Sequence, residues 1–159
     1  MPIGEFFAQN FQLHDPKAVA ALAASSAPRY VKQGELILRQ GEIQNEVPFL
    51  VNGIIRGFYF DINGKEITDC LVVKPGFPAV AMAEMGKPSP IYLEALEDSS
   101  FLVISMHDVQ RLLEEYPVLL WLYNQLLASA FSIHWELKTA LCRNTAMQRY
   151  QWFLKTTLV

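Results

Sequence analysis

The sequence predicts a mainly β domain of sandwich, jelly-roll or barrel type, with short helices before it and one long helix after it. Three observations point there. All eight glycines lie between Gly4 and Gly86, and eight of the nine prolines precede Pro117. Both residue types mark turns, so many short elements are expected in that stretch. Between Arg29 and Ser105, runs rich in β-branched and aromatic residues recur with turn signals about every ten residues, the pattern of all-β domains. After Pro117 the 42 residues Val118 to Val159 hold neither Gly nor Pro, so few and long elements are expected.

In chain order, Glu5 to Ala24 carries apolar residues at Phe6, Phe7, Phe11, Val19, Leu22 and Ala23. It reads as one or two short helices broken at His14-Asp15-Pro16. Leu36 to Arg39 alternates between Gly34 and Gly41. Val47 to Val51 is apolar and stops at Asn52-Gly53, and Ile54 to Phe60 stops at Asp61-Ile62-Asn63-Gly64. Asn-Gly pairs predict hairpins, because both central residues tolerate positive φ. Ile67 to Val73 and Tyr92 to Ile104 supply further strand, with Glu97-Asp98 as a strand-end turn. Ser105 to Asp108 has the spacing of a capping box, with Asp in the usual place of Glu, and starts a helix over Met106 to Glu115. Pro117 then suits the first turn of the next helix.

From Val118 to about Leu154 nothing stops a helix, which would be roughly 50 Å long. Leu119, Leu126, Ala130, Ile133, Leu137, Ala140, Asn144 and Met147 recur along it and, after Leu126, step alternately by four and three as a heptad seam. Leu120, Tyr123, Leu127, Phe131 and Trp135 form a second stripe. Two apolar stripes need two partners: the chain's own β domain, and the same helix of a second copy. Asn144 on the seam would fix register. Tyr116 to Trp135 is twenty residues without a formal charge, yet Asn124, Gln125, Ser129, Ser132 and His134 oppose a membrane span.

At 159 residues, 52% hydrophobic and 18% charged, the chain is expected to fold around a real core rather than stay disordered. Its net charge of −3 excludes a chain-wide basic footprint for nucleic acid. Residues 1–116 carry net −6, and Pro117 onward net +3 from Lys138, Arg143, Arg149 and Lys155 against Glu136. That basic end reads as a solvated helix face before it reads as a docking surface. Two cysteines make no disulfide framework, and Met1 to Asn10 lacks a signal-peptide pattern; a cytoplasmic location is expected.

Lys32 to Leu38, Gln40-Gly41-Glu42, Phe49 to Arg56, Asp61 to Glu66, and Leu93 to Asp98 through Ile104-Ser105 together resemble the sensor domain of Crp/Fnr-type bacterial regulators, which are cyclic-nucleotide-binding-like proteins. The resemblance spans about Arg29 to Leu154. It implies a double-stranded β-helix (a jelly-roll or β-roll) over residues 1–116 with its flanking helices, a dimerisation helix over 117–155, and a DNA-binding helix-turn-helix thereafter. Only a tail, 156–159, follows the long helix, and no helix-turn-helix fits there. The chain as given is expected not to bind DNA specifically.

The resemblance also implies how cyclic AMP is held. Members that bind it carry Phe-Gly-Glu before a short helix and Arg-Ser-Ala or Arg-Thr-Ala after it. The Glu accepts from the ribose hydroxyl, the Arg pairs with the cyclic phosphate, and backbone N–H groups complete the cradle. Here the corresponding segments read Phe77-Pro78-Ala79 and Ser89-Pro90-Ile91. The carboxylate and guanidinium are gone, and Pro78 and Pro90 remove two donors. A surviving pocket would suit an apolar or aromatic effector; Phe77, Ala79, Val80, Met82, Ser89, Tyr92, His134 and Trp135 are its expected lining. The bland alternative is that these side chains fill the space.

No catalytic residues, metal site or cofactor are expected. His14, His107 and His134 share no ligand spacing, and Cys70 and Cys142 read as small buried hydrophobes rather than iron–sulfur ligands. The expected function is a homodimeric sensor domain with an altered effector pocket. The alternatives are a cupin-like metal enzyme and a stand-alone interaction module without ligand.

Overall fold

A computed structural model describes residues 1–81 and 86–157. The chain opens with helices α1 (Ile3–Phe11) and α2 (Pro16–Ala24). The predicted break between them is a built cap. The Asp15 carboxylate accepts from the N–H groups of Lys17 (2.9 Å) and Ala18 (3.2 Å), and Pro16 takes a first-turn position that needs no donor.

Among the described residues seven strands follow: β1 (Ser26–Val31), β2 (Leu36–Leu38), β3 (Glu46–Asn52), β4 (Ile55–Phe60), β5 (Glu66–Val72), β6 (Tyr92–Ala95) and β7 (Ser99–Ser105). They form two antiparallel sheets, ordered β1-β7-β3 and β2-β6-β4-β5. This is the predicted jelly-roll class. Val31, Leu50 and Phe101 from the first sheet meet Leu38, Ile55, Leu93 and Ala95 from the second in the core between them. The other face of the first sheet is covered as well: the rings of Phe7 and Phe11 lie edge-on to Phe49 at 5.5 and 5.7 Å. Adjacent residues point to opposite faces, and both faces are buried here. That is why Val47 to Leu50 reads as an unbroken apolar run rather than an alternation.

The two Asn-Gly turns do different work. Asn63-Gly64 closes the β4–β5 hairpin, but only Gly64 has positive φ (78°). The Asp61 carboxylate accepts from the N–H groups of Asn63 and Lys65, so an aspartate-built turn replaces the expected mirror-image type. Asn52-Gly53 makes no hairpin, because β3 and β4 belong to different sheets. It carries the chain from one sheet to the other. Gly53 has φ 120°, and a Cβ there would lie 2.8 Å from the Ser99 Cα, so only glycine fits.

Helix α3 (Met106–Glu115) starts at the predicted Ser105 cap. Ser105 Oγ accepts from the Asp108 N–H at 3.0 Å and donates to its carboxylate at 2.7 Å. That bond, then the Arg111 guanidinium beside it, holds the Asp108 carboxyl below its usual range. Helix α4 (Pro117–Arg143) is the long helix, and α5 (Ala146–Thr157) follows it. The helix expected to run unbroken to Leu154 is therefore interrupted. Thr145 and Gln148 form a capping box: Gln148 Oε1 accepts from the Thr145 N–H at 3.0 Å, and the Gln148 N–H reaches Thr145 Oγ1 at 3.4 Å. Among the described residues no helix is long and apolar enough to cross a membrane. The chain divides into two compact units, Met1–Leu119 and Leu120–Val159.

Candidate functional site

The segment from β5 to β6 holds five of the expected lining residues: Phe77, Ala79, Val80, Met82 and Ser89. Met82 lies outside the described residues. The segment is tied to the roll by main-chain bonds. Gly76 N–H donates to Leu50 O (2.8 Å), Leu50 N–H to Phe77 O (3.0 Å) and Ala79 N–H to Pro48 O (2.8 Å), so residues 76–79 run along the free edge of β3. The Gln44 side chain completes this attachment. Its amide nitrogen donates to Ala79 O at 2.9 Å, and its oxygen accepts from the Ala81 N–H at 3.2 Å.

The far end is held by a turn. Gly41 N–H donates to Ser89 O, and Ser89 N–H to Glu42 O, both at 2.8 Å. This turn, Arg39-Gln40-Gly41-Glu42, has a twin in Lys32-Gln33-Gly34-Glu35. In each, the Glu carboxylate accepts from the backbone N–H three residues earlier at 2.9 Å, and the Gly sits at φ 80° or 86°. The first turn grips Ala95 through Gly34 N–H to Ala95 O (2.8 Å) and Ala95 N–H to Glu35 O (3.1 Å). Sequence reasoning missed this role, although the repeat of Gln-Gly-Glu seven residues apart carried the signal.

The side chains divide. Ala79 is fully buried in the core between the sheets, Phe77 is half-buried and Val80 is exposed. Ser89 is buried, and its hydroxyl donates to Ile91 O (2.6 Å) while accepting from the Ile91 N–H (3.2 Å). Ile91 in turn packs on Gly57, where an added Cβ would stand 2.9 Å from Ile91 Cδ1 and 2.6 Å from Cys70 Sγ. Tyr92 goes elsewhere. Its neighbour Leu93 points into the core, so Tyr92 takes the outer face of the sheet. There it stacks on Phe58 at 5.1 Å, with the Arg56 guanidinium 4.6 Å above the Phe58 ring. The structure thus brings Ala79 and Ser89 inward and sets Tyr92 apart from them.

Cys70 lies inside the roll. Burial, and then the Asp69 carboxylate, push its thiol up to about 11, so it stays protonated and inert at neutral pH. Cys142 is exposed on α4, which corrects its reading as a buried hydrophobe. Among the described residues no three His, Cys, Asp or Glu cluster as metal ligands.

On the C-terminal helices, His134 is exposed, and Trp135 stacks on Phe131 at 6.4 Å beneath the Lys138 ammonium at 5.4 Å. Of the seam residues, Leu119 and Ala140 are buried; Leu126, Leu137 and Asn144 are half-buried; Ala130, Ile133 and Met147 are exposed. Leu120 and Phe131 of the other stripe are exposed too, Phe131 at 71%.

Residues 28–116 match the sequence profile of the cyclic nucleotide-binding domain. The chain belongs to the cyclic nucleotide-binding domain family. Its fold is also that of several solved members of this family and of bacterial regulators. The catabolite activator protein of Thermus thermophilus superposes with a TM-score of 0.69 at 23% identity, over 83% of this chain and 62% of that one. FixK2 from Bradyrhizobium japonicum gives 0.73 at 19%, over 81% and 64%. A cyclic nucleotide-binding domain from Methylobacillus flagellatus gives 0.71 at 17%, over 84% and 80%. The chain thus spans under two thirds of the length of the first two. Among curated proteins none matches it by sequence.

Proposed function

We propose that this chain is the effector-sensing and dimerising part of a Crp/Fnr-type transcription regulator, and that its effector is not cyclic AMP held in the family's usual way. One observation carries the second clause. A cyclic phosphate needs backbone N–H groups that are free to turn toward it. Among the described residues of the β5–β6 segment, the N–H groups of Gly76, Phe77, Ala79, Ala81, Ser89 and Ile91 donate to acceptors of the chain itself. Pro78, Pro88 and Pro90 have none to offer. At the place of the family's ribose-binding Glu stands Ala79, sealed in the core; at the place of its Arg stands Ser89, whose hydroxyl is turned to Ile91. Losing one charge-assisted contact costs about 1.5–3 kcal/mol, so losing several removes useful affinity.

In this reading residues 1–116 sense, α4 pairs with its copy along Leu126, Ile133 and Leu137, and α5 continues the pairing at Met147. Exposed Ile133 and Met147 support such pairing, because an apolar seam in water favours burial. An effector shifts the population of the paired helices and so the state of whatever they join.

The test is a melting-temperature series with cyclic AMP and cyclic GMP, run beside velocity sedimentation. A ligand at about 100 times its Kd would stabilise by about 2.7 kcal/mol, a shift of several degrees. The expected result is no shift with either nucleotide, and a dimer that the double substitution Leu126→Asp, Leu137→Asp converts to monomer. A rise in Tm that grows with nucleotide concentration up to the millimolar range overturns the effector clause, and a monomeric parent chain overturns the pairing.

A further inference from the structure

The inner faces of the two sheets part at the end of the roll where α3 begins. Ala27 of β1, Val103 of β7 and Pro48 of β3 are cross-strand neighbours on the inner face of one sheet. Ile37 and Leu38 of β2 line the other side. Between them lies an open depression of about 490 Å³. That is the size of a small-molecule pocket, and the mouth of a closed β structure is a usual place for one. Leu38, Ile37 and Val103 also belong to or pack on the core, so the depression continues the apolar interior to the surface.

Its rim is polar but carries no unbalanced charge. Glu46 pairs with Arg29, and Asp108 with Arg111. Asn45 sits on the same rim, and no described residue hydrogen-bonds its side-chain amide. Gln44 borders the depression from the side where its own amide grips Ala79 and Ala81. We propose that this mouth is a ligand site for a small uncharged amphiphile, with an apolar body against Leu38 and Val103 and a hydroxyl or carboxamide head on Asn45, and that Gln44 couples its occupancy to residues 76–81. A charged nucleotide is a poor occupant, since both guanidiniums are taken.

The test is an NMR titration of the whole chain with benzyl alcohol as the probe. The expected result is saturable shifts, with a Kd on the order of 1 mM, at amides around Ile37, Asn45 and Val103 and also at Ala79 and Ala81. Ala27→Phe, an exposed position on an edge strand, fills the mouth and is expected to abolish all of these shifts. Gln44→Leu is expected to keep the rim shifts and lose those at Ala79 and Ala81. Shifts that persist in Ala27→Phe, that never saturate, or that appear only elsewhere overturn the site. Loss of the rim shifts together with the others in Gln44→Leu overturns the coupling. Should Ala27→Phe fail to fold, intermolecular NOEs decide: contacts from the probe ring to the Leu38 and Val103 methyls support the site, and their absence refutes it.

Discussion

Replacing Ser89 by Ala separates a structural hydroxyl from a ligand-binding one. Ser89 is 3% exposed and Ile91 8%. The hydroxyl satisfies both backbone groups of Ile91, donating at 2.6 Å and accepting at 3.2 Å. Without it two nearly buried polar groups lose a partner. Each costs about 1–3 kcal/mol if left bare, and relaxation at the start of β6 recovers part of that. The expected loss is about 2 kcal/mol, or roughly 8 °C at about 4 °C per kcal/mol for a unit of this size. All three tryptophans, Trp121, Trp135 and Trp152, lie on the C-terminal helices, so their fluorescence reports on those helices, and the shifted methyl signals of the core in the NMR spectrum report on the roll. Urea unfolding at one fixed protein concentration gives the midpoint; the slope is expected to stay unchanged. A loss below about 0.5 kcal/mol would mean that Ile91 does not need the hydroxyl. Ser89 would then be free to face an effector.

Two other outcomes follow from single positions. Gly53→Ala combines φ 120° with a backbone clash at Ser99 and is expected to cost at least about 3 kcal/mol. Gly64→Ala, at φ 78° in open space, should cost only about 1 kcal/mol, and equal losses in urea midpoints would refute the crossing-turn account. The Cys70 thiol is raised from 9.0 to about 11, so the unfolded chain ionises first. Its contribution is complete below pH 9 and disappears as pH climbs through 11, an effect of up to about 3 kcal/mol that Cys70→Ala removes. With a thiol reagent at pH 8, Cys142 is expected to react at once and Cys70 only on unfolding; two fast equivalents would contradict the packing around Gly57.

Much of the architecture was legible because its signals are local. Asp15-Pro16 and Ser105 with Asp108 announce helix starts wherever the rest of the chain lies. What failed to show depended on partners far away. Asn52-Gly53 looks like a hairpin, and the assignment of β3 and β4 to separate sheets is decided by β7 and β6. Gln44 gave no signal at all, because its acceptor and donor lie 35 and 37 residues on. The stop at Asn144 has a local signal, the capping-box spacing of Thr145 and Gln148, which the continuing apolar seam masks. Tyr92 follows the same loop in sequence, but the pleat of β6, with period two, sends it to the other face from Leu93.

The attachment of residues 76–81 and of Ser89 also bears on which positions of the chain are open to change. These stretches are held by peptide groups and by two anchors outside them, Gln44 and the Gly41-Glu42 turn. Val80 is exposed, and its side chain takes no part in these bonds. It can therefore be exchanged, in a lineage or in a designed library, with small effect on the scaffold, and a new side chain can be displayed there without redrawing the frame that carries it.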